Sequence, residues 1–291
     1  MQKIKNYLRL NKNLLVHSKI IKRYDNYDFS DLKNIKNNYL MKLINDGCFF
    51  EKNFIPQNIS QNLKKNYFDK SSLFNPTMIE LFKLINENFY EVLKDYFGRE
   101  DIVICKFHYH FTDGASDVSG NWHTDNIGKK INMLFCLEGY GNCPTLYIKR
   151  SHKNIYSPNL IENLRFLSDD MKYIKDTNEN NQTKLNFFSN DLAVIDANGK
   201  HRGGYDKVHD KTKYRLNLFI EFLPKEKLFD LGYKNNPKWM FLKSDKPPYR
   251  KSPQIHKNKE IPKELLNKFL SFKFFDSDFI HEDSGKFFYT I

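Results

Sequence analysis

Between Val103 and Phe222 the sequence returns repeatedly to short runs in which apolar residues alternate with others. A period of two argues a strand, because successive side chains on a strand point to opposite faces. The first run, V-I-C-K-F-H-Y-H-F at Val103–Phe111, sets Val103, Cys105, Phe107, Tyr109 and Phe111 against Ile104, Lys106, His108 and His110. Ile131 to Glu138 reads as a buried strand and Thr145 to Lys149 as another, followed by a polar turn, Arg150 to Lys153, in which His152 is expected at the surface. Leu192 to Ala197 is a short apolar strand that ends beside His201. In the last strand, Tyr214 to Phe222, Tyr214, Leu216, Leu218 and Ile220 share one face, with Arg215, Asn217 and Phe219 on the other. An Arg on the inward face of an aromatic-rich strand is costly unless an anion meets it, and a carboxylate would do so through two parallel hydrogen bonds.

The loop after the first strand contains Gly114 and Gly120 and ends in N-W-H-T-D, with His123 and Asp125 two residues apart. Residues i and i+2 at a strand end point the same way, so both can reach one ion. Two His and one carboxylate on one face of a metal are the ligand set of non-haem Fe(II) sites with open positions. A lone H-x-D recurs by chance. Here a His and then an Arg follow it in a fixed order of strands. His201 follows a strand directly, whereas His209 lies among Lys207, Asp210 and Lys211. His201 is the better third ligand, and His209 reads as an exposed loop residue. Lys106, His108 and His110 share one strand face, which is either the polar lining of a site or the wet side of a half-exposed strand.

The region from about Lys36 to Phe222 resembles the phytanoyl-CoA dioxygenase branch of the Fe(II)/2-oxoglutarate oxygenases. N-D-G-C-F-F-E-K-N-F-I-P at Asn45–Pro56 resembles its opening strand, and H-T-D at His123–Asp125 its first two ligands. P-T-L-Y-I-K-R-S-H-K at Pro144–Lys153 resembles its strand into a G-S-H-K turn, with Arg150 in place of Gly. N-D-L-A-V-I-D-A-N-G-K-H-R-G-G at Asn190–Gly204 resembles its strand into the distal His, with Asn190 where Gly is usual. Arg215 matches the Arg that holds the far carboxylate of the cosubstrate. The resemblance implies a mainly β fold with flanking helices (α+β) around a double-stranded β-helix. It implies His123, Asp125 and His201 on Fe(II), Arg215 on 2-oxoglutarate, and consumption of O₂ to oxidise a C–H bond with release of succinate and CO₂. Asn132 and Tyr147 lie on strands that would bracket the metal; either could hydrogen-bond the cosubstrate, and packing is the alternative for Tyr147. Trp122 would form a pocket wall. Because Asp125 keeps the carboxylate that halogenating relatives replace with a small residue, hydroxylation is expected.

The expected substrate is a small molecule of secondary or surface-glycan metabolism. The other readings are a protein or nucleic-acid hydroxylase or demethylase, and a non-catalytic cupin-like binding protein. The charge of +12, from 47 basic and 35 acidic residues, permits an anionic partner. The basic residues are dispersed, and no aromatic–basic motif points to nucleic acid. The four cysteines, Cys48, Cys105, Cys136 and Cys143, have no C-x-x-C spacing, so no disulfide framework is implied and a reducing, cytoplasmic setting is expected. Met1–Ile20 is interrupted by Lys3, Lys5, Arg9 and Lys12 and has no signal-peptide core. No run of about eighteen apolar residues exists, so no membrane span is expected.

The 291 residues read as one oxygenase domain: a helical support at 1–97, the core at 98–224 with a polar insert at 154–188, and an extension at 225–291. One helix is sharply marked. Asn75 is its cap and Pro76 its first residue. Ile79, Phe82, Ile85, Phe89, Val92 and Tyr96 form its apolar stripe, and Gly98 ends it. The segment Pro262 to Phe272 is amphipathic.

Overall fold

The computed structural model describes residues 24, 27–30, 32, 35–69, 71, 74–113, 128–139, 144–153, 181–185, 188–203, 214–230 and 263–275. The expectations for Trp122, His123, Asp125, Cys143 and His209 lie outside these residues.

Helices precede the core. Helix α1 (Asn38–Asp46) is capped by the Asn37 side chain and closed by Gly47, whose φ is 78°. Strand β1 (Cys48–Glu51) and helix α2 (Gln57–Phe68) follow. Helix α3 (Pro76–Phe97) starts and stops where its sequence predicts. The Asn75 carboxamide accepts the Met78 N–H at 3.0 Å, and Gly98 closes the helix at φ 67°. Its buried stripe includes Phe82, Ile85, Phe89, Val92 and Tyr96, and Ile79 is partly buried.

The strands are β2 (Ile102–Asp113), β3 (Ile131–Glu138), β4 (Thr145–Ile148), β5 (Gln182–Leu185), β6 (Leu192–Asp196), β7 (His201–Gly203) and β8 (Tyr214–Pro224). A 3₁₀ turn, Ser151–Lys153, follows β4. The strands form a five-stranded sheet, β1-β6-β3-β8-β2, and a three-stranded sheet, β5-β4-β7. Every pairing is antiparallel. The molecule is therefore a mixed structure of helices and antiparallel sheet.

The large sheet buries both faces. Ile104, Phe107, Tyr109, Met133, Phe135, Leu216, Leu218 and Ile220 pack with the helices. Cys48, Leu134, Cys136, Ala193 and Ile195 face the small sheet, where they meet Tyr147 and Leu185. Strict alternation along β2 fails at Cys105. The register shifts there, so that Ile104 and Phe107, three residues apart, both reach the helix-side core. Such a bulge adds one residue to one strand and turns the following side chains over.

Three other expectations are revised. The last part of the segment expected as an insert, Gln182–Leu185, is a strand paired with β4. Part of the extension joins the core: helix α4 (Lys225–Asp230) follows β8, Phe269 of helix α5 (Lys263–Leu270) and Phe275 pack on Phe82, Phe274 packs on Tyr90 and Phe222, and Ile104 N–H donates to the Phe274 carbonyl at 3.0 Å. His152 is not at the surface but fully buried, its ring edge-on to Tyr27 at 5.6 Å. A Cβ on Gly47 would collide with that ring, so Gly47 serves both its left-handed φ and the packing of His152.

Candidate active site

Strand β6 is buried throughout and runs into a four-residue connection, 197–200, that opens β7 at His201. His201 pairs with Tyr147 of β4, and the two rings are nearly parallel, with centroids 6.5 Å apart. His201 is only 6% exposed. Its Nδ1 lies 2.9 Å from the Gly199 carbonyl oxygen. A carbonyl only accepts, so Nδ1 carries the hydrogen and, in the neutral ring, the lone pair sits on Nε2. This is the arrangement by which metal-binding imidazoles are held in one tautomer.

Tyr147 is fully buried and its hydroxyl donates to the Asp196 carbonyl at 3.0 Å. A Cβ on Gly199 would overlap that hydroxyl. Tyr147 thus packs the turn before His201, which is the packing alternative. Asn132 lies on β3 between Ile195 and Glu221 and is buried.

Arg215 is 5% exposed and stands on β8 opposite Thr112 of β2. Asn217, two residues on and on the same face, stands between Cys136 and His110. Phe219 follows, flanked by Leu134 and His108. The His108 ring stacks on Phe219 at 5.4 Å and 27°, and the His110 ring meets it edge-on at 5.3 Å. The inward face of β8 therefore presents guanidinium, carboxamide, ring and carboxylate in turn, the last being Glu221, which pairs with Lys130 at 2.9 Å. His108 and His110 are half-buried on this side. Lys106 stands opposite Glu221 in the register. The Arg215 charge draws the Cys136 thiol down, but burial outweighs it and pushes the thiol up to about 12. Cys48 is also raised to about 12, chiefly by burial. Neither thiol is a nucleophile at neutral pH.

Asn217 is fully buried, and neither atom of its carboxamide has a hydrogen-bond partner among the described residues. The two-residue period puts it on Arg215's face, but nothing in the sequence marks its amide as unsatisfied.

Asp196 is a second group the sequence does not reveal. Tyr27 and Tyr96 hydroxyls donate to its Oδ2 at 2.8 and 2.6 Å, and the Asn198 N–H to its Oδ1 at 2.9 Å. Burial pushes its carboxyl up to about 6 despite these donors. Beside it Lys129, also buried, donates to the Tyr96 carbonyl at 2.7 Å and lies 4.3 Å from the Phe29 ring centre.

Among the described residues no group of three His, Cys, Asp or Glu side chains is placed to hold a metal, and no helix is long and apolar enough to cross a membrane. No protein-family model matches the chain, and no curated protein does. Among solved structures it is similar to the non-haem α-ketoglutarate-dependent epimerase SnoN from nogalamycin biosynthesis. That likeness has 11% identity, 64% of this chain, 81% of that one and a TM-score of 0.49. It is also similar to HygX from Streptomyces hygroscopicus with nickel and 2-oxoglutarate bound, at 10% identity, 66% and 88% coverage and a TM-score of 0.48. A third is EvdO2 from Micromonospora carbonacea var. aurantiaca complexed with 2-oxoglutarate, at 10% identity, 65% and 91% coverage and a TM-score of 0.43. At such scores these likenesses fix neither the fold nor the reaction of this chain.

Proposed function

We propose that this chain is an Fe(II)- and 2-oxoglutarate-dependent dioxygenase that hydroxylates a small molecule. Its two sheets would form one double-stranded β-helix domain within residues 1–291, of the phytanoyl-CoA dioxygenase-like type. The observation that carries the reading is that His201 and Arg215 are both buried. A buried imidazole opens β7 of the small sheet with its tautomer set by Gly199, and a buried guanidinium stands on the inward face of the large sheet. Together with the H-x-D of His123 and Asp125 in the sequence, these supply a two-His, one-carboxylate set and an anion anchor.

The donor chemistry fits the metal: His201 offers Nε2, with Nδ1 held as a donor to the protein. His123 and Asp125 would complete the set, and bound iron would supply the O₂ chemistry that couples 2-oxoglutarate decarboxylation to C–H oxidation. Arg215 would hold the far carboxylate of 2-oxoglutarate through its planar fork, with Asn132 as a further polar contact. His108, His110, Lys106 and Trp122 would orient the substrate, and Phe219, against which His108 and His110 pack, would keep water from it. Cytoplasmic localisation and an anionic substrate belong to the same proposal.

Anaerobic titration tests the metal set. His123→Ala, Asp125→Ala and His201→Ala should each lose stoichiometric Mn(II) binding, whereas His209→Ala should keep it; unchanged affinity in the first three would remove the metal from the reading. Arg215→Ala should raise the half-saturating 2-oxoglutarate concentration about ten- to a hundredfold, since a hydrogen bond to a charged group is worth roughly 1.5–3 kcal/mol. Arg215→Lys should recover only part, because an ammonium has no fork. An Arg215→Ala protein with wild-type 2-oxoglutarate dependence would remove the cosubstrate.

A further inference from the structure

The turn that carries His201 is tied to the chain that leaves the H-x-D by backbone pairing and by one side chain. Asn198 is buried, three residues before His201. Its Oδ1 accepts the Gly128 N–H at 2.9 Å, and Gly128 is three residues after Asp125. Its Nδ2 donates to the His152 carbonyl at 2.6 Å, and its own N–H donates to Asp196 Oδ1. The backbones run together at the same place: Ala197 N–H donates to the Lys130 carbonyl at 2.7 Å. On the far side of the turn, Lys200 N–H donates to Ser151 Oγ at 2.7 Å, which in turn donates to the Ile148 carbonyl at 2.6 Å. Gly128 takes φ 80°, a conformation open to glycine at little cost, and so presents its N–H to Asn198.

We infer that Asn198 is a positioning residue that fixes the spacing between the His201 arm and the His123–Asp125 arm of the metal set. The inference rests on the oxygenase reading above. Three residues of chain reach at most about 10 Å. A fixed point that close to Asp125 on one side and to His201 on the other therefore limits where both arms can stand. The post needs an acceptor toward Gly128 and a donor toward His152, which the carboxamide offers on two separate atoms. The competing account is that Asn198 merely closes a turn. Then its loss would lower stability and leave the metal set alone.

The two are separated by Asn198→Ala, which removes both bonds, and Asn198→Asp, which keeps the acceptor for Gly128 and loses the donor to His152. Affinity for Mn(II), the visible absorption of bound Co(II), exchange of the Gly128 amide and melting temperature would be measured on both. Asn198→Ala should weaken Mn(II) binding about ten- to a hundredfold, the range for partners that orient metal ligands. It should also shift the Co(II) bands and speed Gly128 exchange. Asn198→Asp should melt earlier than the wild type yet keep the Co(II) spectrum, which reports geometry rather than net charge, and most of the affinity. Equal losses in both variants, or wild-type affinity and spectrum in Asn198→Ala, overturn the inference. Should Asn198→Ala not fold, Asn198→Asp decides alone: a displaced Co(II) spectrum overturns it. His201→Ala serves as the reference. If it binds Mn(II) like the wild type, the oxygenase reading fails and this inference with it. If it loses the metal while Asn198→Ala does not, only the positioning role fails.

Discussion

Asn217 is held in the interior with its carboxamide unsatisfied among the described residues. A buried polar group without a hydrogen bond costs roughly 1–3 kcal/mol. Leucine has nearly the same size and none of that cost, so Asn217→Leu should raise the stability of the ligand-free protein by roughly 1–3 kcal/mol. In differential scanning calorimetry this appears as a melting temperature higher by several degrees. A fall would mean that the amide is hydrogen-bonded in solution. At this scale the sequence shows positions better than partners. The face of Arg215 and Asn217 follows from period two. Asp196 could not be read as buried, because its partner Tyr27 lies 169 positions away. His152 reads as a surface residue because its neighbours Arg150 and Lys153 are charged, yet Gly47 makes room for the ring.

The connection between β6 and β7 depends on close approach. A methyl group on Gly199 meets the Tyr147 hydroxyl and ring carbons. Gly199→Ala should therefore cost about 1–3 kcal/mol, the usual range for overpacking. Tyr147→Phe in the same chain should restore part of it, because the hydroxyl is the nearest obstacle. Denaturant titration of the double-mutant cycle checks this, and additive losses would show that the two residues do not compete for the space. Strands β2 and β8, from their alternation, and β3 and β6, as apolar runs, are legible element by element. Strand β5, Q-T-K-L, is polar and β7 spans three residues, so neither has a period to read. The two places where a glycine is replaced relative to the resembled pattern keep a glycine-like backbone, with φ 68° at Arg150 and 77° at Asn190.

For the whole molecule, two buried groups act on stability with opposite sign. Burial pulls His152 from 6.5 down to about 4, so the stability it contributes is full above pH 6.5 and is lost as pH falls toward 4. Burial pushes Asp196 from 3.8 up to about 6, so its contribution is full below pH 3.8 and is lost as pH rises toward 6. Between pH 4 and 6 the two slopes oppose each other. Asp196→Asn should leave a stability that climbs with pH through this window, and His152→Gln one that declines. Urea denaturation at half-unit pH steps gives both curves, and parallel curves for the two variants would contradict the assignment.

The large sheet joins distant parts of the chain. Cys48 of β1 lies beside Ile195, and Ile102 of β2 beside Pro224. Neither outer strand finds its partner until more than a hundred further residues have been made. Loop closure over such spans is entropically slow, and folding rates fall as contacts become less local. During synthesis the apolar stripe of α3 and the aromatic side of β2 would stay uncovered until β8, and then Phe269 and Phe274, arrive. A chain of this topology matures late, and its period of greatest exposure to aggregation precedes completion of its last strand.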